Sequence, residues 1–516
     1  MDEQNLQKPV YAPYTYPLPK VPVTFPTGKG ELLFGLWTLI FSLLLCNCLF
    51  FSPWGLGFGL AVAALLGGTA FYLRRRGHRF GWYETTLLAL CAVIAAGFLI
   101  SDDVLSKLLM FLVLMAVPSL AFCIAAGQNR RSSAGFLSLL DGPRAVFMLG
   151  FGCLGEMGRG IREAFRSSGV LGRKAGAIGL GLLIAVPVLA MLVPLLMSAD
   201  AAFEGLLDLL PELNIEEALT TVVLGFFLAV ILYTRGVALH HKEKAAAPEK
   251  HRDGLSPLTV NTVLLAVAVV YLAYLASQLA YFVGGFSGIL PEDFTLSEYA
   301  RRGFFEMGWL CALNLGIIAL AVGLVQKSPC TPGLTRFVCL FIGLITVFLV
   351  ATASAKMFLY IRSYGLTRAR ITTEVFMLWL LATTVLVCVW LFREKLPYMK
   401  ISMVLALSLC AVLFWADVDA RVAQYNVRAY QSGKLETVDV GYLDSLSSGA
   451  VPYLHELTTD ADREVAAQAR LALESLAQYN RAEDYGLLDW NLTRARALEI
   501  LEEYRPEEKA AEVTHE

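Results

Sequence analysis

Long apolar runs recur along the chain and are separated by polar loops. Each run holds about 20 residues, enough for an α-helix to cross about 30 Å of hydrocarbon. The runs lack the period-2 alternation of a transmembrane β-barrel, and a helix satisfies its own backbone groups in lipid. The pattern therefore predicts an all-α, polytopic transmembrane helical bundle of about eleven spans. The predicted spans are 32–51, 54–73, 85–101, 104–126, 175–197, 218–236, 259–283, 303–325, 336–361, 372–392 and 399–416.

Polar stretches divide the chain into five predicted regions. These are a disordered cytoplasmic N-terminal tail (1–30), the first four transmembrane helices (31–126), a cytoplasmic loop (127–174), a seven-helix transmembrane core (175–416) and an extracytoplasmic acidic helical domain (417–516). Within the cytoplasmic loop, residues 143–168 place phenylalanines on one helix face and arginines on the opposite face, and the apolar run is too short to cross. This pattern predicts an amphipathic helix that rests on the membrane interface.

The region after the last span differs in composition from the rest of the chain. In residues 417–516 the acidic side chains outnumber the basic ones by 20 to 10. Apolar positions repeat at helical spacing within 447–458, 461–479 and 487–504, which predicts a small all-α domain of three or four short helices that continues directly from the last span. We do not expect an acidic extramembrane domain to bind nucleic acid.

The distribution of basic residues predicts the orientation in the membrane. Loops and span ends on the side of the N-terminus hold 25 Lys and Arg, whereas the loops between spans on the other side hold 5. Because positively charged loops stay in the cytoplasm, the N-terminus is predicted to be cytoplasmic. An odd number of spans then places the C-terminal domain outside. We call the side with few basic residues the outer face.

The sequence carries no familiar enzyme signature. It has no G-x-x-x-x-G-K-[ST] phosphate loop, no G-x-S-x-G elbow and no H-E-x-x-H helix. Nine of the ten cysteines lie in apolar stretches, without C-x-x-C spacing, where cysteine behaves as a small hydrophobic residue. His240, His241 and His251 share one basic loop, for which a solvated loop is the preferred interpretation and a metal site the alternative. We assign no catalytic residue and expect no cofactor.

The outer face has few basic residues overall, but two of its loops contain arginines. Arg301 and Arg302 precede the eighth span, and Arg362, Arg368 and Arg370 link the ninth and tenth spans. Ionisable residues inside spans also lie near this face, at Lys107, Glu306 and Lys356. Those three are shallow enough for their side chains to reach water. Access to water explains these three residues, but it does not explain why five arginines lie in loops of the face that is otherwise poor in basic residues.

Local spacing near these arginines predicts ordered helix ends. Thr295-x-x-Glu298 has the pattern of a capping box ahead of the eighth span. Glu298, Arg302 and Glu306 then follow at four-residue intervals, which favours ion pairs along a helix. The same interval occurs at the end of the ninth span, at Lys356, Tyr360 and Tyr364. Gly365 can end that helix.

Five segments carry more specific patterns. They are SEYARRGFFEMGWLCALNL (297–315), KMFLYIRSYGLTRARI (356–371), DVDARVAQYNVRAYQSGKL (417–435), SADAAFEGLL (198–207) and, more faintly, DWNLTRARA (489–497). Across roughly residues 170–500 the chain resembles a group of bacterial multi-pass membrane proteins that is defined only as a domain of unknown function. The resemblance implies a bacterial plasma membrane and no established activity, and it supplies no catalytic residues.

By the predicted topology, each of these segments touches the outer face. Our hypothesis is that basic side chains there converge with acidic ones, either to dock the C-terminal domain or to bind an anionic headgroup. The alternative is a set of ion pairs that only lock the helix ends. The candidate outer-face polar cluster comprises Asp200, Glu298, Tyr299, Arg301, Arg302, Glu306, Lys356, Tyr360, Tyr364, Arg368, Arg370, Asp417 and Asp419.

Three classes of function stay open. The favoured one is a non-catalytic sensing, scaffolding or regulatory membrane component with a functional surface on its outer face. A transporter or lipid flippase would need ionisable groups near the membrane midplane. The predicted spans have only amide and hydroxyl side chains there, such as Gln278, Asn314 and Tyr274. A membrane enzyme acting on lipid or cell-wall precursors would need the polar cluster as its centre. The expected partners are membrane lipids, with anionic headgroups at the basic cytoplasmic loops, and a protein that binds the C-terminal domain.

Overall fold

The computed structural model describes residues 29–129, 215–241, 255–286, 304–324, 333–480 and 485–505, together with scattered positions between 142 and 196. Within these residues the chain consists of α-helices, short 3₁₀ turns and connecting loops, without a β-strand.

Ten apolar helices form the membrane part of the described chain. They are α1 (Lys29–Phe50), α2 (Leu56–Arg75), α3 (Trp82–Gly97), α4 (Val104–Ala125), α5 (Ile215–His241), α6 (Pro257–Phe286), α7 (Phe304–Leu324), α8 (Gly333–Tyr364), α9 (Arg368–Phe392) and α10 (Tyr398–Trp415). Eight of them are long and apolar enough to cross a membrane, while α3 and the Met307–Val322 stretch of α7 are apolar but shorter. The predicted all-α polytopic bundle is confirmed.

Each of these ten helices matches one predicted span to within a few residues. The predicted span 175–197 and the predicted interfacial helix 143–168 lie outside the described residues, apart from scattered positions.

The membrane helices pack in two groups. α1 packs against α2 and α5, and α3 packs against α2 and α4; these five helices form the first sub-bundle. α6, α7 and α9 pack against α8; these four helices form the second sub-bundle. α10 contacts α3 in the first sub-bundle and α9 in the second, and so connects the two.

Close packing in the first sub-bundle depends on a small residue. A Cβ atom added to Gly59 would lie 2.5 Å from the carbonyl oxygen of Ala95, so α2 approaches the backbone of α3 directly. Phe58, Leu87 and Phe98 fill the core around this contact and are fully buried. Small residues allow such close approach between membrane helices, where lipid tails are as apolar as the side chains.

A buried polar chain connects α6, α7 and α8 in the second sub-bundle. The Tyr271 hydroxyl donates to Oδ1 of Asn314 at 2.6 Å, and Nδ2 of Asn314 donates to Oγ1 of Thr346 at 3.0 Å. Asn314 is fully buried. Because an unsatisfied amide in an apolar environment costs free energy, these bonds favour one arrangement of the three helices.

The residues after α10 form a helical domain with its own core, the C-terminal domain. Its helices are α11 (Val418–Gln431), α12 (Val440–Asp444), α13 (Val451–Leu457), α14 (Arg463–Tyr479) and α15 (Leu492–Leu501). Its buried core includes Val422, Val427, Leu443, Leu454 and Leu473. Five helices are described where three or four were predicted. α12 is little more than one turn, too short for helical spacing to appear in the sequence.

Short polar side chains start most of the helices in this domain. Asp417, Asp439, Asp462 and Asn491 each accept a hydrogen bond from a backbone N–H in the first turn of the helix that follows. Such caps satisfy N–H groups that have no partner within the helix. Asp417 has a φ of +48°, so the chain bends between α10 and α11 while it passes from the membrane to the domain within two residues.

Candidate functional site

Three turns between membrane helices contact the C-terminal domain. They are residues 51–55 between α1 and α2, 98–103 between α3 and α4, and 365–367 between α8 and α9. Each turn forms hydrogen bonds with the domain. We call this contact surface the junction. All three turns belong to the side of the bundle that the sequence predicts to be the outer face.

Asp102 is the centre of a buried charge cluster at the junction. Its carboxylate accepts hydrogen bonds from Nζ of Lys107 at 3.0 Å and from Oγ of Ser448 at 2.6 Å. It also forms a salt bridge with Arg494. The side chains of Asp102, Lys107 and Arg494 are 7, 4 and 9% exposed, and buried charges are stable only when they are paired. One acid therefore holds a cation of α4 and a cation of α15, and the expectation that the Lys107 side chain reaches water is wrong.

Arg368, the first residue of α9, joins both sub-bundles to the domain. Its Nε and Nη2 donate to the carboxylate of Asp419 at 2.7 and 2.5 Å, and its Nη1 lies 3.0 Å from Oδ1 of Asp103. Asp419 belongs to α11, is 1% exposed and also accepts the N–H of Ser447 at 2.9 Å. Asp103 caps α4. A single guanidinium thus connects the first sub-bundle, the second sub-bundle and the C-terminal domain.

Asn491 attaches the start of α15 to the end of α3. Its Nδ2 donates to the carbonyl oxygens of Phe98 and Ser101 at 3.0 and 2.9 Å. The N–H of Leu492 donates to the carbonyl oxygen of Leu99 at 2.7 Å. These carbonyl groups follow the last turn of a helix, where no intrahelical donor is left. The domain therefore supplies donors that the membrane turn needs.

Gly365 ends α8 as predicted. Glycine is needed there both for the helix end and for a close contact with the C-terminal domain. Its φ is +75°, and an added Cβ would lie 2.6 Å from Oδ1 of Asn426. The Asn426 side chain accepts the N–H of Leu366 at 2.7 Å and donates to the carbonyl oxygen of Leu366 at 2.8 Å. Glycine is required there for its backbone conformation and for the close approach of α11.

Asp417 takes part in the junction without an arginine partner in the described residues. Its carboxylate caps α11 and accepts the hydroxyl of Thr493 at 2.8 Å. Burial raises the pKa of the Asp417 carboxyl, because the charged form loses hydration. Asp417 thus connects α11 with α15 through neutral donors, whereas Asp419 holds the guanidinium.

Arg370 differs from Arg368 in its contacts. Its guanidinium lies over the ring of Tyr360 at 4.1 Å and donates to the carbonyl oxygens of Tyr364 at 3.1 Å and of Gly365. The rings of Tyr360 and Tyr364 are 5.1 Å apart. Arg370 therefore satisfies the carbonyl end of α8, as basic side chains often do at the end of a helix.

The other candidates of the predicted cluster are placed only in part. Lys356 is half-buried in α8, about two turns before the end of that helix. Glu306 lies in the first turn of α7, and its side chain is outside the described residues. The candidates that lie wholly outside the described residues are Asp200, Glu298, Tyr299, Arg301 and Arg302.

Several residues of the junction are not among the predicted cluster residues. They are Asp102, Asp103, Ser448, Asn491 and Arg494. Two adjacent acids in a tight turn of the outer face, close to Lys107, were a usable signal for the first two. The sequence holds no signal that would pair the other three with a particular turn.

The described part of the chain holds no group of three or more His, Cys, Asp or Glu side chains able to bind a metal ion. The prediction that His240, His241 and His251 share one loop is wrong for His240 and His241, which form the end of α5, and His251 lies outside the described residues. His240 instead lies 3.2 Å, ring nitrogen to ring nitrogen, from His78 in the loop after α2.

Gly55 is expected to tolerate no side chain. An added Cβ would lie 2.4 Å from the carbonyl oxygen of Asp489 and 2.7 Å from that of Trp490, which accepts the N–H of Leu56. We expect Gly55→Ala to lower the free energy of unfolding by about 1–3 kcal/mol, because backbone must move to make room. Thermal unfolding in mild detergent measures the loss. Gly67→Ala is the matched control, since nothing lies within 4 Å of its added Cβ. Equal losses at both glycines would contradict the close approach.

Comparison with known proteins gives one match. No curated protein and no solved structure matches the chain. The model of the family described as Domain of unknown function (DUF4153) matches residues 87–457, more than half of the chain. The match begins earlier than the predicted resemblance, in α3, and ends in α13, before the segment that carries Asn491 and Arg494. The chain belongs to the DUF4153 family.

Proposed function

We propose that the protein is a non-catalytic sensing, scaffolding or regulatory component of a bacterial plasma membrane, with its C-terminal domain as the working surface on the outer face. The observation that carries the proposal is the contact of Arg368 with both Asp103 and Asp419. Because this contact ties the domain to both sub-bundles, a shift of one sub-bundle against the other must disturb it. A partner that binds the domain can act on the membrane helices by the same route.

The burial of the junction charges supports a coupling role over a catalytic one. Asp419 and Asp102 are 1 and 7% exposed, and their oxygens accept hydrogen bonds from Arg368, Lys107 and Arg494. A general acid or base must reach the proton of a substrate, directly or through one water. Carboxylates that are enclosed by cations of their own chain are better suited to fixing the domain.

The distribution of basic residues supports a cytoplasmic N-terminus and an extracytoplasmic domain. The end of α2 and the loop after it hold four arginines within residues 74–79, on the side of the bundle opposite to the junction. Basic segments of this kind attract the anionic headgroups of a cytoplasmic leaflet. The junction turns 51–55 and 98–103 contain no Lys or Arg.

Two large exposed apolar side chains on α14 support a protein partner. Leu471 is 65% exposed and Tyr479 is 79% exposed, about two helical turns apart, with the polar Ser475 and Gln478 between them. Ala469 and Leu473 of the same helix lie in the domain core. Both side chains lie outside the domain core and are available for contact with another protein.

Site-specific photo-crosslinking tests the partner and the coupling together. With a photoreactive phenylalanine at Tyr479, we expect a protein adduct in intact cells, and with the same group at Glu436, which is exposed in the polar loop after α11, we expect none. The added substitution Arg368→Gln should lower the adduct yield at Tyr479, because it loosens the domain. Equal adducts at both positions would contradict a partner on α14. An unchanged yield with Arg368→Gln would contradict the coupling.

A further inference from the structure

A groove runs along the outward side of α11, next to the turn between α8 and α9. Its volume is about 570 Å³, within the range of small-molecule sites. The lining includes Leu366, Arg421, Gln424, Arg428, Ser432 and Lys434. The opposite side of α11 is buried in the core of the C-terminal domain. The groove is separate from the junction charges.

Three cations gather in this groove. Arg421 and Arg428 are seven residues apart on α11, and Lys434 follows the end of the helix. All three are exposed, and within the described residues none of them forms a salt bridge with a carboxylate. The region 417–516 has twice as many acidic as basic residues, so three neighbouring cations without a paired acid are unexpected for its composition. Like charges repel one another, and an anion between them would relieve that repulsion.

The groove lies at the level where the membrane spans end. Arg421 donates from Nε to the carbonyl oxygen of Ala416 at 3.3 Å, and Ala416 directly follows α10. Leu366 belongs to the short turn between α8 and α9. Tyr364 and Tyr425, 52 and 40% exposed, lie near the same level. Tyrosine and arginine are typical of the membrane–water interface, where lipid headgroups are found.

We infer that this groove binds the phosphate of an anionic phospholipid in the leaflet on the side of the C-terminal domain. Arginine offers paired N–H donors that fit two oxygens of a phosphate. Nη1 of Arg421 donates to Oε1 of Gln424 at 3.3 Å, so a hydrogen bond between two lining residues helps to fix the position of one guanidinium. Lys434 adds a third positive charge. Leu366 provides an apolar wall on the membrane side.

The inference goes beyond the proposed function, and it does not depend on which face of the membrane is cytoplasmic. It concerns only the leaflet next to α11. A lipid held there would contact the C-terminal domain and the α8–α9 turn at once. Bound lipid would therefore add to the attachment of the domain at a place that the junction charges do not reach.

Native mass spectrometry of the full chain tests the groove. The protein in mild detergent is titrated with phosphatidylglycerol and, separately, with phosphatidylcholine. The groove variant is Arg421→Gln with Arg428→Gln, and the matched control is Arg463→Gln with Arg496→Gln, which removes two exposed positive charges from the same domain. We expect the groove variant to bind phosphatidylglycerol about tenfold more weakly than the wild type, because each basic side chain near a headgroup contributes to binding. The control should bind as the wild type does.

Other outcomes overturn the inference. Equal phosphatidylglycerol binding by the groove variant and the control would place the lipid elsewhere, for example at the basic loops of the opposite face. Equal loss of phosphatidylcholine and phosphatidylglycerol would show that the anionic charge is not recognised. In a third arm, inorganic phosphate is added to the protein with bound phosphatidylglycerol. If inorganic phosphate at the same concentration as phosphatidylglycerol displaced all of the bound lipid, the groove would be a site for free phosphate and not for a phospholipid.

Discussion

Replacing Asp102 with asparagine is expected to destabilise the folded protein by about 3–5 kcal/mol, the usual cost of leaving a buried charge without its partner. Asparagine keeps the shape of the side chain but removes the negative charge between Lys107 and Arg494. Both cations have side chains less than 10% exposed, so solvent cannot replace the lost carboxylate. The loss is measured as the free energy of unfolding in a denaturing-detergent titration of mixed micelles.

Glu394→Gln is the matched control for that experiment. Glu394 pairs with Arg336 at the opposite face of the bundle, where the two side chains are 51 and 29% exposed. An exposed ion pair contributes about 0–1 kcal/mol, so the control should change the free energy of unfolding very little. Similar losses from Asp102→Asn and Glu394→Gln would mean that the cluster around Asp102 is not closed to solvent.

Arg368→Gln is expected to release the C-terminal domain from the membrane helices without unfolding the domain. The substitution leaves Asp419 buried without its cation, at a cost of about 2–3 kcal/mol for the lost charged hydrogen bonds. We place the cost below that of Asp102→Asn because both acids that lose Arg368 keep a hydrogen bond from a backbone N–H, Asp419 from Ser447 and Asp103 from Ser106. Hydrogen-exchange mass spectrometry in detergent should show faster exchange in α11 and in the α8–α9 turn, while the amides around Leu473 in the domain core stay protected.

Two further variants test that result. Arg368→Lys keeps the positive charge but cannot reach both acids with a planar fork, so exchange in α11 should be intermediate. Arg393→Gln removes an exposed arginine just after the other end of α9 and should leave exchange in α11 unchanged. If Arg368→Gln exchanged no faster than Arg393→Gln in α11, the three-way contact would not hold the domain.

The membrane helices could be predicted because their signal is local. A run such as 336–361 is apolar at nearly every position, and α8 extends beyond it by only three residues at each end. Gly365 was recognisable as a helix end for the same reason, since the need for a positive φ belongs to a single residue. Charge counts along the loops also use only the order of the chain, and the orientation that they predict stays a prediction.

The junction could be predicted only in part, because its partners are distant in sequence. Arg368 is among the predicted cluster residues, because an arginine in a loop of the face with few basic residues stands out in the local sequence, and it does bind Asp419. Arg494 and Asp102 are 392 positions apart. No periodicity or spacing rule connects two such residues, and an acid in a tight turn resembles an ordinary helix cap. Only the folded chain reveals that Asp102 is the buried centre of a cluster.

The attachment of Asn491 to the end of α3 has a consequence for biosynthesis. The ribosome synthesises the first four spans long before it reaches residue 491. Until then the carbonyl groups of Phe98 and Ser101 lack the hydrogen bonds that the Asn491 side chain donates in the folded protein. Insertion of all spans therefore does not complete the molecule. Folding is complete only when the later segment has packed against α3, and a nascent chain interrupted before that point would expose these unpaired carbonyl groups to membrane proteases.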